Sequence, residues 1–148
     1  MIAMENLDQR ILALLAREGR MSYTDIGKET GLSTSAAQQR VRRLEQRGLI
    51  TGYHAKLDAG SLGLGLTAFV AITPTDAASP DEAPSLLAHL PEIEACHSVA
   101  GVESYLLKVR TSSPDALEAL LRTIRQTAKV TTRTTVVLST FYEDRPPL

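Results

Sequence analysis

Apolar positions recur at helical spacing through the first fifty residues, then as strand-like runs alternating with helical stripes. Ile11, Leu14 and Leu15 stand at i, i+3 and i+4, with Leu7 four residues before Ile11. This predicts a first helix capped by Asp8 and stopped by Gly19. Ser22, with Asp25 three residues on, is a capping-box-like start for a short second helix over residues 23–30, ended by Gly31. Leu32 is expected to tuck into the turn, and Ser33 to open a third helix that runs to Arg47 and closes at Gly48. Two helices joined by a tight glycine-containing turn make a helix-turn-helix.

Residues 50–58 (ITGYHAKLD) read as a strand leaving the helices, and residues 59–65, with three glycines, as a flexible joint. Beyond it a pattern occurs twice. The apolar strand LTAFVAIT at 66–73 precedes SPDEAPSLLAHL from Ser79, and the strand YLLKVRT at 105–111 precedes SPDALEALLRTI from Ser113. Each helical segment opens with a cap residue, a proline suited to the first turn and an acid on the positive end of the helix dipole. Their stripes match: Ala83, Leu86, Leu87 and Leu90 against Leu117, Leu120, Leu121 and Ile124. Only the first copy contains Pro84, which is expected to delay or kink its helix. Further strands at 93–100 and 130–142 complete a β-α-β-β-α-β order, which folds as one antiparallel sheet with two helices on one face.

The fold class expected is therefore α+β: a three-helix helix-turn-helix domain at 1–50, a linker strand and hinge at 51–65, and a ferredoxin-like sandwich at 66–148. Helices on one face leave the other face of the sheet in need of cover, which a second copy of the chain would supply.

Charge sharpens this picture. The net charge is −1, yet residues 1–50 carry eight Arg and Lys against six Asp and Glu, while the remainder carries eight against eleven. The basic excess concentrates in residues 33–47, where four arginines face Glu45 alone. At about 100° per residue Ala37, Val41 and Leu44 form the inner stripe of the third helix. Arg40, Arg43 and Arg47 fall beside it, and Gln39, Arg42 and Gln46 on the open side. Ser33, Thr34, Ser35 and Ala36 are small, so the helix start can approach the floor of a major groove. Arginine can take the O6/N7 pair of guanine or clamp phosphate, and glutamine can pair with adenine. An arginine-rich helix taken alone is more often a solvated face. The short helix, glycine turn and small-residue opening before it favour a DNA reader.

Little else in the chain carries chemistry. Cys96 is the sole cysteine, so no intrachain disulfide forms and a reducing compartment is expected. Cys96 and His97 are strand neighbours pointing to opposite faces and cannot make a dyad. His54, His89 and His97 lack metal-ligand spacing, and neither a phosphate-binding loop nor a dinucleotide fingerprint is present. No enzyme, cofactor or metal is expected. Charge at Glu5 interrupts any signal peptide, and the longest uncharged stretch, 59–75, is too short to span a bilayer, so a soluble cytoplasmic protein is expected. One small-ligand candidate remains. Gly101 and Val102 join two strands taken to be central, and a glycine there permits positive φ and close approach, presenting amides, Glu103 and Ser104 at the sheet rim. A plain hairpin turn is the simpler use of that loop.

Three segments, LDQRILALLAREGRMSYTDIG, GLSTSAAQQRVRRLEQRGLITGY and CHSVAGVESYLLKV, resemble the leucine-responsive/asparagine-type (Lrp/AsnC, feast/famine) transcriptional regulators, and the resemblance covers essentially the whole chain. It implies a reader tethered to a sensing domain, dimers formed through the sheets, assembly into octamers or open helices, and amino acids or related metabolites bound between dimers. By position it implies that residues 33–43 form the recognition segment and that Gly101, Val102, Glu103 and Ser104 form the effector loop. The leucine-type pattern has an acid after the glycine and another two residues later; here these are Val102 and Ser104. Ser104 is closer to the asparagine-type pattern. Glu103 can replace the acid only by turning toward the cleft.

The expected function is thus a sequence-specific regulator of transcription tuned by an amino acid or related metabolite. Two alternatives stay open: an architectural DNA-wrapping protein without effector, and a metabolite-binding regulatory subunit of an enzyme.

Overall fold

The computed structural model describes residues 4–76 and 81–148. Contacts divide the chain into two units, residues 1–56 with 142–148, and residues 57–141.

The first unit holds three helices, α1 (Asn6–Arg17), α2 (Tyr23–Thr30) and α3 (Thr34–Gln46). Ser22 caps α2 by accepting the Asp25 N–H at 3.0 Å, and Gly31 ends it with φ 76°. Ser33 caps α3 by accepting the Ala36 N–H at 3.1 Å, and Gly48 lies just past its end with φ 75°. The start of α1 differs from the expectation: its N-cap is Glu5, and Asp8 is buried inside the first turn. Asp8 does not cap the helix because its carboxylate is drawn toward α3. Ile11, Leu12, Ile26, Ala37, Val41 and Leu44 form a small core. Within it α2 approaches the following turn so closely that Gly27 touches backbone.

The expected strand at 50–58 is not formed. A strand needs a neighbour to satisfy its amides, and these residues find no ladder partner among the described residues. Tyr53 instead anchors the segment. Its hydroxyl donates to Glu45 Oε1 at 3.0 Å, and its ring lies 3.7 Å from where a Cβ on Gly19 would sit.

The second unit is an antiparallel sheet of β1 (Leu66–Pro74), β2 (Ile93–Ser98), β3 (Tyr105–Thr111) and β4 (Val130–Val136) in the order β2-β3-β1-β4. Two helices, α4 (Ala83–Leu87) and α5 (Pro114–Ala128), accompany it. Alternation on β3 buries Tyr105, Leu107, Val109 and Thr111. Leu107 is paired with Val70 on β1 and Cys96 on β2. Leu117, Leu120 and Ile124 of α5 complete the core. Ser113 caps α5 through the Ala116 N–H at 3.1 Å, with Pro114 in the first turn.

Three expectations for this unit need correction. The first helix of the duplicated pattern is only five residues long and begins at Ala83, with Pro84 in its first turn. Ser79 and Pro80, its expected opening, lie outside the described residues. β4 stops at Val136 rather than Tyr142: its ladder with β1 ends where Val136 pairs with Ala68, and one further bond, from the Val137 N–H to the Thr67 carbonyl at 2.9 Å, follows. And β2 is an edge strand, so the 99–104 loop joins one edge strand to one central strand.

The sheet face away from the core cluster carries Phe69, which is 38% exposed, beside Leu106 and Ala71. A polar cluster borders it: Arg110 Nε donates to Glu94 Oε1 at 2.5 Å and Nη1 to Thr67 Oγ1 at 3.1 Å, with Lys108 Nζ 3.6 Å from Glu94. The uncovered face is therefore mixed, not uniformly apolar.

Candidate nucleic-acid interface and effector loop

α3 presents three faces. Ala37, Val41 and Leu44 point into the core, and Ser35, Gln39, Arg42, Arg43 and Arg47 are exposed. Arg42, Arg43 and Arg47 have no ion-pair partner among the described residues. The third face belongs to Arg40, whose Nη1 donates to Glu5 Oε2 at 2.8 Å and to Asp8 Oδ1 at 3.0 Å. This guanidinium holds the Glu5 carboxyl below its ordinary 4.5, first through the hydrogen bond and then through its charge, with Arg43 and Arg47 adding smaller effects. Of the residues singled out for DNA, Arg40 is thus already occupied inside the unit.

The opening of α3 is also internally organised. The Ser33 hydroxyl is used in the cap and lies 3.3 Å from that of Ser35, and the Thr34 hydroxyl lies 3.3 Å from that of Thr24 on α2. Ser35, Ala36, Gln38, Gln39 and Arg42 border an open hollow of about 280 Å³. At about 100° per residue Gln38 projects between the inner stripe and the open side, so helical spacing alone does not select it.

At the C-terminal end of α3, burial first and the hydrogen bond to Glu45 second push the Tyr53 phenol up to about 12. Its ionisation is therefore harder in the folded state than the ordinary 10.0. A folded value above the unfolded one gives stability that is complete below pH 10 and is lost as pH rises through about 12. Ultraviolet titration of the phenols is expected to show a late-ionising tyrosine that is missing in Tyr53→Phe, whose alkaline loss of stability is shallower. A Tyr53→Phe titration identical to that of the parent would refute this anchoring.

In the second unit, residues 99–104 link β2 to β3. The Val99 N–H donates to the Ser104 carbonyl at 3.1 Å, and the Ser104 N–H donates to the Ile72 carbonyl on β1 at 3.1 Å. Val102 is 95% exposed. Gly101 does not adopt positive φ, and nothing lies within 4 Å of the position its Cβ would take. The turn itself therefore does not demand glycine. Glu103 reaches β4 and accepts a hydrogen bond from Arg133 Nε, which lowers its carboxyl below the ordinary 4.5. Its side chain is turned toward Arg133 rather than outward, an arrangement that sequence alternation did not show.

Cys96 and His97 pair with Leu107 and Leu106, so as strand neighbours they face opposite sides. Burial pushes the Cys96 thiol up, away from thiolate chemistry. Among the described residues, no group of three or more His, Cys, Asp and Glu side chains converges as a metal site would, and no helix is long and apolar enough to cross a membrane.

A family model of the AsnC-type helix-turn-helix domain matches residues 4–45, and one of the Lrp/AsnC ligand binding domain matches residues 67–147. The chain belongs to the Lrp/AsnC family. It is 50% identical over 143 residues to the HTH-type transcriptional regulator LrpA of Mycobacterium tuberculosis, covering 97% of this chain and 95% of that one. The leucine-responsive regulatory protein of Klebsiella pneumoniae is 39% identical over 121 residues, 80% of this chain and 73% of that one. A solved structure of a feast or famine regulatory protein from M. tuberculosis complexed with L-methionine superposes with TM-score 0.95 at 50% identity, covering 97% and 98% of the two chains. As a Lrp/AsnC regulator, the chain is a transcriptional regulator with a helix-turn-helix DNA-binding domain followed by a ligand-binding domain.

Proposed function

We propose that the chain binds double-stranded DNA as a dimer or higher assembly in the cytoplasm. α3 enters the major groove, and an amino acid held at the 99–104 loop changes its DNA affinity or assembly. The observation that carries the DNA half is the exposed face of α3, which starts with small residues and carries Arg42, Arg43 and Arg47, exposed and without an ion-pair partner among the described residues. Backbone contacts would come from Arg43 and Arg47, whose position beside Arg40 places them away from the hollow. Self-association is supported by the sheet face around Phe69, Leu106 and Ala71, which a second copy would cover.

For the effector, the M. tuberculosis relative complexed with L-methionine points to an α-amino acid. Gly101, Val102, Glu103 and Ser104 suit such a ligand in a specific way. The Glu103 carboxylate and the Arg133 guanidinium offer one charge of each sign beside an open glycine. A zwitterion matches both, its ammonium on Glu103 and its carboxylate on Arg133. Arg133 is the exposed member of the pair, 71% against 18% for the Glu103 side chain, and is the one free to turn toward a ligand carboxylate.

Fluorescence anisotropy on DNA from upstream of its own gene, against a scrambled duplex, tests both halves. A preference for the upstream DNA that shifts when pooled amino acids, methionine included, are added is expected. Equal binding to the two duplexes would overturn the regulator in favour of an architectural protein, and no binding to either would overturn DNA recognition. The variant carrying Arg43→Ala and Arg47→Ala is expected to weaken binding to every sequence and to reduce the salt slope by about 2. Glu103→Gln is expected to remove the amino-acid response while leaving effector-free DNA affinity unchanged.

A further inference from the structure

Resting on the DNA reading above, we infer that base recognition in α3 falls to Gln39 and Arg42, flanked by Gln38, whereas Arg40 is a positioning residue that reads no base. Four observations carry this division of labour. Arg40 spends its guanidinium on Glu5 and Asp8, at 2.8 and 3.0 Å, and its side chain is only 24% exposed. Asp8 is itself almost covered, with 11% of its side chain exposed, so releasing Arg40 to a base would leave a nearly buried carboxylate unpaired. Ser35, Gln38, Gln39 and Arg42 stand at i, i+3, i+4 and i+7, one face of a helix, and all four line the same hollow. Ser35 and Ala36 form its small end, which lets the helix start come close to base edges.

The chemistry follows from the side chains. A glutamine amide matches the N6/N7 edge of adenine, and a guanidinium matches the O6/N7 edge of guanine. Gln39 and Arg42 are three residues apart, about 4.5 Å along the axis, close to the ~3.4 Å rise of one base pair. They are therefore placed to read neighbouring or near-neighbouring pairs, an A·T and a G·C, in each half-site. The contribution of Arg40 is different in kind: by tying α3 to the start of α1 it fixes the angle at which that reading face is offered.

Selection of bound duplexes from a random pool, using the full chain and its variants, separates these roles. The parent chain is expected to enrich a motif with an A·T and a G·C close together in each half-site. Gln39→Ala and Arg42→Ala are expected to keep the parental unfolding temperature, each relaxing one position of the motif by about tenfold, within the range of a bidentate base contact. Arg40→Lys keeps a cation for Glu5 and Asp8 but lacks the guanine-matching fork. It is expected to retain the parental motif at every position, with affinity lowered evenly across sequences. Arg40→Ala, where it folds, is expected to lower the unfolding temperature without relaxing any single position. A motif relaxed at one guanine in Arg40→Lys would overturn the inference, as would an unrelaxed motif in both Gln39→Ala and Arg42→Ala. Failure of the parent to enrich any motif would instead overturn the underlying reading of sequence-specific binding.

Discussion

Gly27→Ala is expected to destabilise the helix-turn-helix by about 2 kcal/mol, the middle of the overpacking range. Helix propensity alone argues the opposite, since alanine replacing a mid-helix glycine gains roughly 1 kcal/mol. Packing decides the sign. A Cβ on Gly27 would stand 2.4 Å from the Leu32 carbonyl oxygen, with the Leu32 and Ser33 carbonyl carbons at 3.4 and 3.5 Å. All three are backbone atoms, so no side chain can rotate away. The turn is also pinned, because the Leu32 N–H donates to the Gly27 carbonyl at 2.9 Å. Relief must come from pushing the start of α3 off α2, which strains the Ser33 cap and disturbs Ile26 and Val41 in a core that has six buried apolar residues among those described. Thermal unfolding followed by circular dichroism should show the loss, with weaker DNA binding in parallel. An unfolding temperature at or above that of the parent would show that the turn yields where the geometry says it cannot.

Gly27 also marks a boundary in what the sequence discloses. Signals that act over three or four residues were legible: the Ser22 cap with Gly31 defines α2, and alternation defines β3. The same rule set out α3 and its inner stripe, because Ala37, Val41 and Leu44 need only helical geometry to share a face. Contacts between segments distant in the chain were not legible. Nothing near Arg40 announces that Glu5 and Asp8, more than thirty residues earlier, will occupy its guanidinium. The Glu103–Arg133 pair spans thirty residues and depends on β4 lying beside β1. The linker reads as a strand because its residues favour extended backbone, but a strand exists only with a partner. Pro84 was visible as a difference between the two copies. The extent to which it would shorten α4 depends on a neighbourhood that pattern cannot supply.

Leu107→Ala is expected to cost the ligand-binding unit about 3 kcal/mol, within the 2–5 kcal/mol range for truncating a buried leucine. Leu107 is 0% exposed and sits on a central strand, between Val70 on one neighbour and Cys96 on the other. On the sheet side β1 and β3 are paired across seven residues, so the cavity closes mainly by movement of the helices, α4 and α5, whose side chains share its core. Among the described residues the core it damages contains twelve buried ones, from Ala68 to Val130, and none of them belongs to the core of the N-terminal helices. The lesion should therefore shift the unfolding of the sheet unit while circular dichroism retains the signal of the N-terminal helices to the parental temperature. With the effector held at the 99–104 loop as proposed, response to added amino acid should weaken before DNA binding does, since that loop hangs directly from β3 and from the Ile72 carbonyl. One coincident transition, lowered as a whole, would instead mean that the two cores unfold cooperatively despite sharing no buried residue. In that case a metabolite bound at the loop would stabilise the DNA reader directly, by mass action on a single folding equilibrium.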